Sequence, residues 1–163
     1  MYIRKVGEIM TLEELKKENQ RLKEENEYYR EIAYHDAMTE CYNRTWFYDK
    51  ITDSTECYMT LADVNCLRTV NFVLGHAEGD KLIRECVSIF KKYGDVVRQG
   101  GDEFVIVSYD KEKYDELNNT VSNKYSLGGC FKPSTMLVAE AIRDADKKLF
   151  ENKKYNKSRG IFD

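Results

Sequence analysis

Apolar and polar positions follow three different rhythms along this chain. From Thr11 to Ala33 the repeat is seven residues: Leu12, Asn19, Asn26 and Ala33 share one position, and Leu15, Leu22 and Tyr29 fall three later. This is the a/d seam of a coiled coil over about three heptads. Asparagine at two a positions favours a two-stranded, in-register coil and lowers its stability. Thr11 with Glu14 forms a capping box, so the helix is expected to begin there. So short a seam is marginal alone, and the rest of the chain is expected to help it dimerise.

Beyond Ala33 the rhythm changes. HDAMTECYNR reads as a turn, with Asn43-Arg44 leading into a short helix, TWFYDKITD. CYMTLADVN is almost continuously apolar up to Asp63, the pattern of a buried strand. HAEGDKLIRECVSIFKKYG returns to a helical period, with Leu82, Ile83, Cys86, Val87 and Phe90 on one face and Gly94 as its stop. DVVRQ and EFVIVSY flank Gly100-Gly101 as a hairpin. KEKYDELNN is a short helix, and NKYSLGGCF a strand interrupted by glycines. Pro133 is placed in the first turn of the last helix, which runs through TMLVAEAIRDADKKLFENKKYN. Mixed helices and strands in this order predict an α+β fold, a mainly antiparallel sheet with flanking helices. Residues 1–35 form a helical stalk and 36–163 a globular domain.

Composition narrows the function classes. With 163 residues, 42% of them hydrophobic, the chain can bury a core beside its stalk. A net charge of -3 argues against an electrostatic nucleic-acid binder. No stretch has the roughly 20 apolar residues of a membrane span, and MYIRKVGEIM lacks the apolar segment of a signal peptide. The five cysteines, Cys41, Cys57, Cys66, Cys86 and Cys130, form no C-x-x-C pair. They are expected to be buried thiols in a reducing cytoplasm.

Acids sit at two strand ends. Asp63 closes the first long strand, and Asp102 and Glu103 follow the Gly-Gly tip. If that strand pairs beside the hairpin, Asp63 and Asp102 face each other. Clustered carboxylates repel unless a cation joins them, and oxygen ligands select hard ions such as Mg²⁺, which keeps water and phosphate in its shell. The acids therefore point to a metal–nucleotide site; exposed turn acids are the simpler alternative.

Four motifs in one order add to this. RQGGDEF carries the signature of the GGDEF family, the diguanylate cyclases. ADVNCLRTVNFVLGHAEGDKLIRE is similar to the family's second motif through Asp63, Asn71, Gly75, His76, Gly79 and Asp80. HDAMTECYNR resembles its opening motif through Asp36, Thr39, Asn43 and Arg44, with Met38 and Cys41 where leucine is usual. ADKKLFENKKYNKS resembles its closing motif through Ala145, Asp146, Leu149 and Lys153, with Phe150 for tyrosine and Lys157 at the basic position. The resemblance covers about residues 36–158.

That resemblance implies a palm-like β-α-β-β-α-β fold in which two facing domains condense two GTP into cyclic di-GMP and pyrophosphate. It implies two Mg²⁺ ions per site, or Mn²⁺ in their place. Asp63, the Val64 carbonyl and Asp102 become metal ligands. Asp102 is also the proton acceptor, and Glu103 supports it. Gly100 and Gly101 let backbone approach the phosphates; Asn71 and Asp80 read the guanine edge, with His76 beside them. Lys153 and Lys157 hold the β- and γ-phosphates, and backbone near Cys66 and Leu67 donates to phosphate at a helix start. The expected partners are GTP and a second copy joined through the stalk.

The sequence also departs from the family pattern. Phe72 stands where aspartate usually follows the base-reading asparagine, and Asn65 where a second acid is frequent. The product-inhibition pattern before the signature is broken, with Lys91 for arginine and the acid displaced to Asp95, so no tight inhibition is expected there. The segment from Val105 to Asp144 is short, implying a reduced helix and a lost edge strand. These departures keep open a second reading: a catalytically weak or inactive domain that binds GTP or another nucleotide as a signalling module.

Overall fold

The computed structural model describes residues 3–5 and 8–160, with side chains from Thr11 onward. The chain divides into two units, residues 1–34 and 35–163. The first opens with a small antiparallel hairpin, β1 (Ile3–Lys5) and β2 (Glu8–Met10). Helix α1 (Leu12–Ala33) follows. Its capping box is formed: Thr11 N donates to Glu14 Oε2 at 2.8 Å and Glu14 N to Thr11 Oγ1 at 3.3 Å. Arg21 ties Glu18 and Glu25 along the surface, each at 2.9 Å. Leu12, Leu22 and Tyr29 of the seam lie exposed.

The second unit starts with β3 (Tyr42–Asn43) and α2 (Arg44–Lys50). The Asn43 carboxamide caps α2 by accepting from Thr45 N and Trp46 N. Strand β4 (Cys57–Val64) leads to α3 (Leu67–Leu74) and α4 (His76–Phe90). Next come β5 (Asp95–Gly100), β6 (Glu103–Ser108), α5 (Lys111–Asn118), β7 (Tyr125–Lys132) and α6 (Val138–Ser158). The sheet order is β3-β5-β6-β4-β7, antiparallel except where β3 meets β5. From β4 to β7, with α3 and α4 together filling the first helical place, this is the β-α-β-β-α-β order that the motifs imply.

The apolar pattern decides the layers. Central strands β4 and β6 are buried on both faces, which explains their nearly continuous apolar runs. Ala62, Val64, Phe104 and Ile106 meet Ile83, Cys86, Val87 and Phe90 of α4 on one face. Helix α6 lies across β7 and β4 on the other. Cys41, Cys57, Cys86 and Cys130 are buried and all five cysteines are free thiols; burial pushes Cys57 and Cys86 up to about 11. Among the described residues no helix is long and apolar enough to cross a membrane.

Four local expectations are corrected. Helix α4 stops at Phe90, short of Gly94, where a side chain would strike the Val107 carbonyl at 2.2 Å. Pro133 lies in the turn before α6, whose cap is Leu137. Residues 67–74, for which the sequence indicates only a helix start, form α3 over their full length. Strand β7 runs through Gly128 and Gly129 without a break and forms the sheet edge, while α5 is short, with 8 residues. Each glycine makes room for a helix: a Cβ on Gly128 would come within 2.1 Å of Leu149 N of α6, and one on Gly129 within 2.5 Å of Asn118 Oδ1 of α5. Two α6 side chains also cap the outer edge of β7. Lys148 Nζ donates to the Gly129 carbonyl at 2.7 Å, and Leu127 N donates to Asn152 Oδ1 at 3.3 Å.

Candidate active site

The acids gather where β4 and β6 end together. The register sets Asp63 directly opposite Glu103, not opposite Asp102 as the sequence suggested. Cross-strand partners project to the same face, so Asp63 and Glu103 share the α6 side. Gly100 pairs with Glu103 across the turn Gly101-Asp102. Gly101 takes φ +51°, and a Cβ on either glycine would meet nothing within 4 Å. Open space therefore lies above the tip. The Asp102 carbonyl accepts from Val64 N at 3.0 Å, locking the tip to the end of β4.

Asp63 already holds a cation. Lys153 Nζ lies 2.7 Å from its Oδ2, and the aspartate side chain is only 16% exposed. Burial pushes the Asp63 carboxyl above the usual aspartate range. The Lys153 hydrogen bond and charge pull it back in part, and the nearby Asp102 charge adds to the rise. A shielded acid beside a second acid calls for a neighbouring positive charge, which Lys153 supplies here and which a metal ion in its place would also supply. Among the described residues no three His, Cys, Asp or Glu side chains cluster tightly enough to hold one unaided. Two carboxylates and a carbonyl do suit Mg²⁺ that arrives with phosphate and water filling its shell.

A groove of about 530 Å³ runs beside the tip, lined by Leu67, Arg68, Asn71, Phe72, His76 and Asp102. Gly75, at φ +89°, makes the turn between α3 and α4 that brings Asn71 and His76 together. The Asn71 amide rests on α4 at Gly79, where a Cβ would lie 1.8 Å from its Oδ1. Asp80 is the next residue, half-exposed, with Arg84 at 4.0 Å. Glu103 lines a separate cavity of about 350 Å³ between α2 and α6, with Arg44, Gln99 and Arg143. Lys157 is exposed on the last turns of α6 and makes no ion pair among the described residues. Asn65 is 5% exposed and committed to structure: it donates to the Asn123 carbonyl at 3.2 Å and accepts from Ser126 Oγ at 2.9 Å.

Arg98 was not singled out by the sequence. Its Nε and one terminal nitrogen both donate to the Gly101 carbonyl, at 3.1 and 2.8 Å, and the other reaches Asp36 Oδ1 at 3.0 Å. The same Asp36 oxygen accepts from Thr39 N and Oγ1. Burial pushes the Asp36 carboxyl up, but the Thr39 and Arg98 hydrogen bonds outweigh it and hold the group below the aspartate range. Arg98 thus pins the acid-bearing turn to the opening motif. Its position in RQGGDEF was the available signal. Arg98→Ala is expected to cost about 2 kcal/mol in urea unfolding, the scale of hydrogen bonds to charged groups. Arg98→Lys should restore little, since lysine lacks the fork that grips one carbonyl twice.

The family model for "Diguanylate cyclase, GGDEF domain" matches residues 33–126. This chain belongs to the GGDEF family. Among curated relatives, the signaling protein YkoW of Bacillus subtilis is 25% identical over 84% of this chain and 21% of its own length. Diguanylate cyclase DgcM of Escherichia coli is 31% identical over 55% of this chain and 24% of its own. The chain thus corresponds to about a quarter or less of these relatives. Among solved structures, the coiled coil and GGDEF domain of DgcB from Caulobacter crescentus, in complex with c-di-GMP, aligns with TM-score 0.68 at 21% identity. That match covers 88% of this chain and 92% of the other. It establishes the GGDEF fold of the second unit.

Proposed function

We propose that this GGDEF protein is a cytoplasmic diguanylate cyclase that binds GTP with Mg²⁺ and works as a homodimer. The observation that carries this reading is the Asp63 carboxylate: shielded, beside Asp102, and already charge-balanced by Lys153 at 2.7 Å. Asp63, the Val64 carbonyl and Asp102 would hold the ion, of which the family uses two, with Mn²⁺ able to stand in. When bound, the metal supplies positive charge against the phosphates and the attacking oxygen.

The chain's own groups do the rest. Asn71 and Asp80 read the guanine edge, because a carboxylate accepts from N1–H and the 2-amino group together. Lys153, released from Asp63, turns with Lys157 to the β- and γ-phosphates. The 3′-oxygen of a nucleotide on the second copy bonds to the α-phosphorus as the bond to pyrophosphate breaks, and Asp102 takes the hydroxyl proton. Glu103, across from Asp63, sustains the negative field of the site. The exposed seam of α1 favours pairing two chains, which raises the effective concentration of one site near the other.

The test is incubation of the dimeric chain with GTP and Mg²⁺, following pyrophosphate release and identifying the nucleotide by mass spectrometry. Cyclic di-GMP is the expected product. GTP binding by calorimetry with no product would transfer the assignment to the nucleotide-binding signalling module, which the Phe72 substitution favours. No binding at all would reject both.

A further inference from the structure

Helix α3 displays an aromatic ring where display is costly. Phe72 is 90% exposed, and Val73 and Leu74 beside it are 66% and 63% exposed. Leaving such a ring in water forgoes about 1.5–3 kcal/mol of burial. The ring lines the groove shared by Asn71, His76 and Asp102, and among the described residues it is the only Phe, Tyr or Trp that does so. The preceding residue, Asn71, has its amide against α4 at Gly79. Polar recognition and an apolar plane therefore come from adjacent positions on one helix.

We propose that Phe72 is the stacking platform for the purine base of the bound nucleotide. This rests on the nucleotide reading of the groove given above. A base offers two surfaces: a polar edge and a π-face. Asn71 and Asp80 suit the edge, and a carboxylate at position 72 would offer the face nothing. An aromatic ring there gains about 1–3 kcal/mol from stacking, whatever the base. The substitution that departs from the family pattern thus strengthens base binding without choosing the base. Selectivity stays with Asn71 and Asp80.

Calorimetry on the full chain with Mg²⁺ tests this, using GTP, ITP and tripolyphosphate as probes. ITP keeps the fused ring and lacks the 2-amino group; tripolyphosphate has no base. Phe72→Ala should weaken GTP and ITP by the same factor, about 5- to 150-fold, and leave tripolyphosphate unchanged. Phe72→Trp should retain affinity, and its emission should respond to GTP but not to tripolyphosphate. The native Trp46 is buried and stacked on Tyr42 at 4.1 Å, a constant background. Wild-type binding of GTP with Phe72→Ala within about twofold of it would overturn the stacking role and leave the nucleotide reading standing. So would equal weakening of tripolyphosphate, or a loss of self-association alone, which would assign the ring to a chain–chain contact. A wild type that binds no GTP would overturn both.

Discussion

Asp63→Asn is expected to lower turnover on GTP by about 10³-fold, the loss of several kcal/mol of charge stabilisation, without lowering fold stability. The second half follows from the direction of the pKa shift. In the folded chain burial raises the Asp63 carboxyl above its usual range, despite Lys153. The folded state therefore binds this proton at higher pH than the unfolded state does. Stability contributed at this residue rises as pH falls through the raised value, and the charged form is a liability at neutral pH. Asparagine resembles the neutral form. Thermal melting at pH 7 should show the variant equal to the wild type or higher, and the acid-side gain in stability should shrink. Asp102→Asn should cost similar turnover and leave stability unmoved, since that side chain is only partly covered at an open turn. A drop in the melting midpoint of Asp63→Asn would show that the Lys153 pair stabilises the fold and is not a stand-in for a ligand.

Gly128→Ala should destabilise the domain by about 3 kcal/mol, at the upper end for overpacking, read as a lower urea midpoint at unchanged slope. The added methyl would lie 2.1 Å from Leu149 N and 2.3 Å from the Ala145 carbonyl, both helix backbone. Backbone cannot rotate aside, so α6 must lift as a body. Leu149 and Lys153 are one turn apart on that helix. The same shift therefore draws Lys153 from Asp63 and should lower the affinity for triphosphate as well. Gly129→Ala is the control: its methyl meets the side chains of Asn118 and Tyr114, at 2.5 and 2.7 Å, which can move. A cost of about 1 kcal/mol is expected there. Equal costs at the two positions would show that α6 is not held at the distance described.

What the sequence revealed depended on how local each determinant was. The Thr11 cap, the α4 face and the buried strands were legible because period and side-chain chemistry lie within one segment. Gly128 was misread because its reason is a helix some 20 residues later in the chain, and a single sequence does not show which glycine a helix will approach. The acids were found by type, but their pairing was not: a one-residue difference in register exchanged Asp102 for Glu103 as the neighbour of Asp63. Arg98 escaped notice because its partners, Asp36 and the Gly101 carbonyl, are distant or belong to the backbone.

The capped edge of β7 bears on how two copies can meet. Sheets tend to grow by adding a strand from another molecule, and such a union is slow to undo. Here Lys148 and Asn152 occupy two of the hydrogen-bonding groups a visiting strand would need, the Gly129 carbonyl and the Leu127 N–H. At the opposite margin β3 is two residues long. Neither margin invites a neighbour to continue the sheet, so a dimer of the kind proposed would rest on side-chain surfaces, which part readily. If the product forms between two chains as proposed, such a contact lets the halves separate and release it.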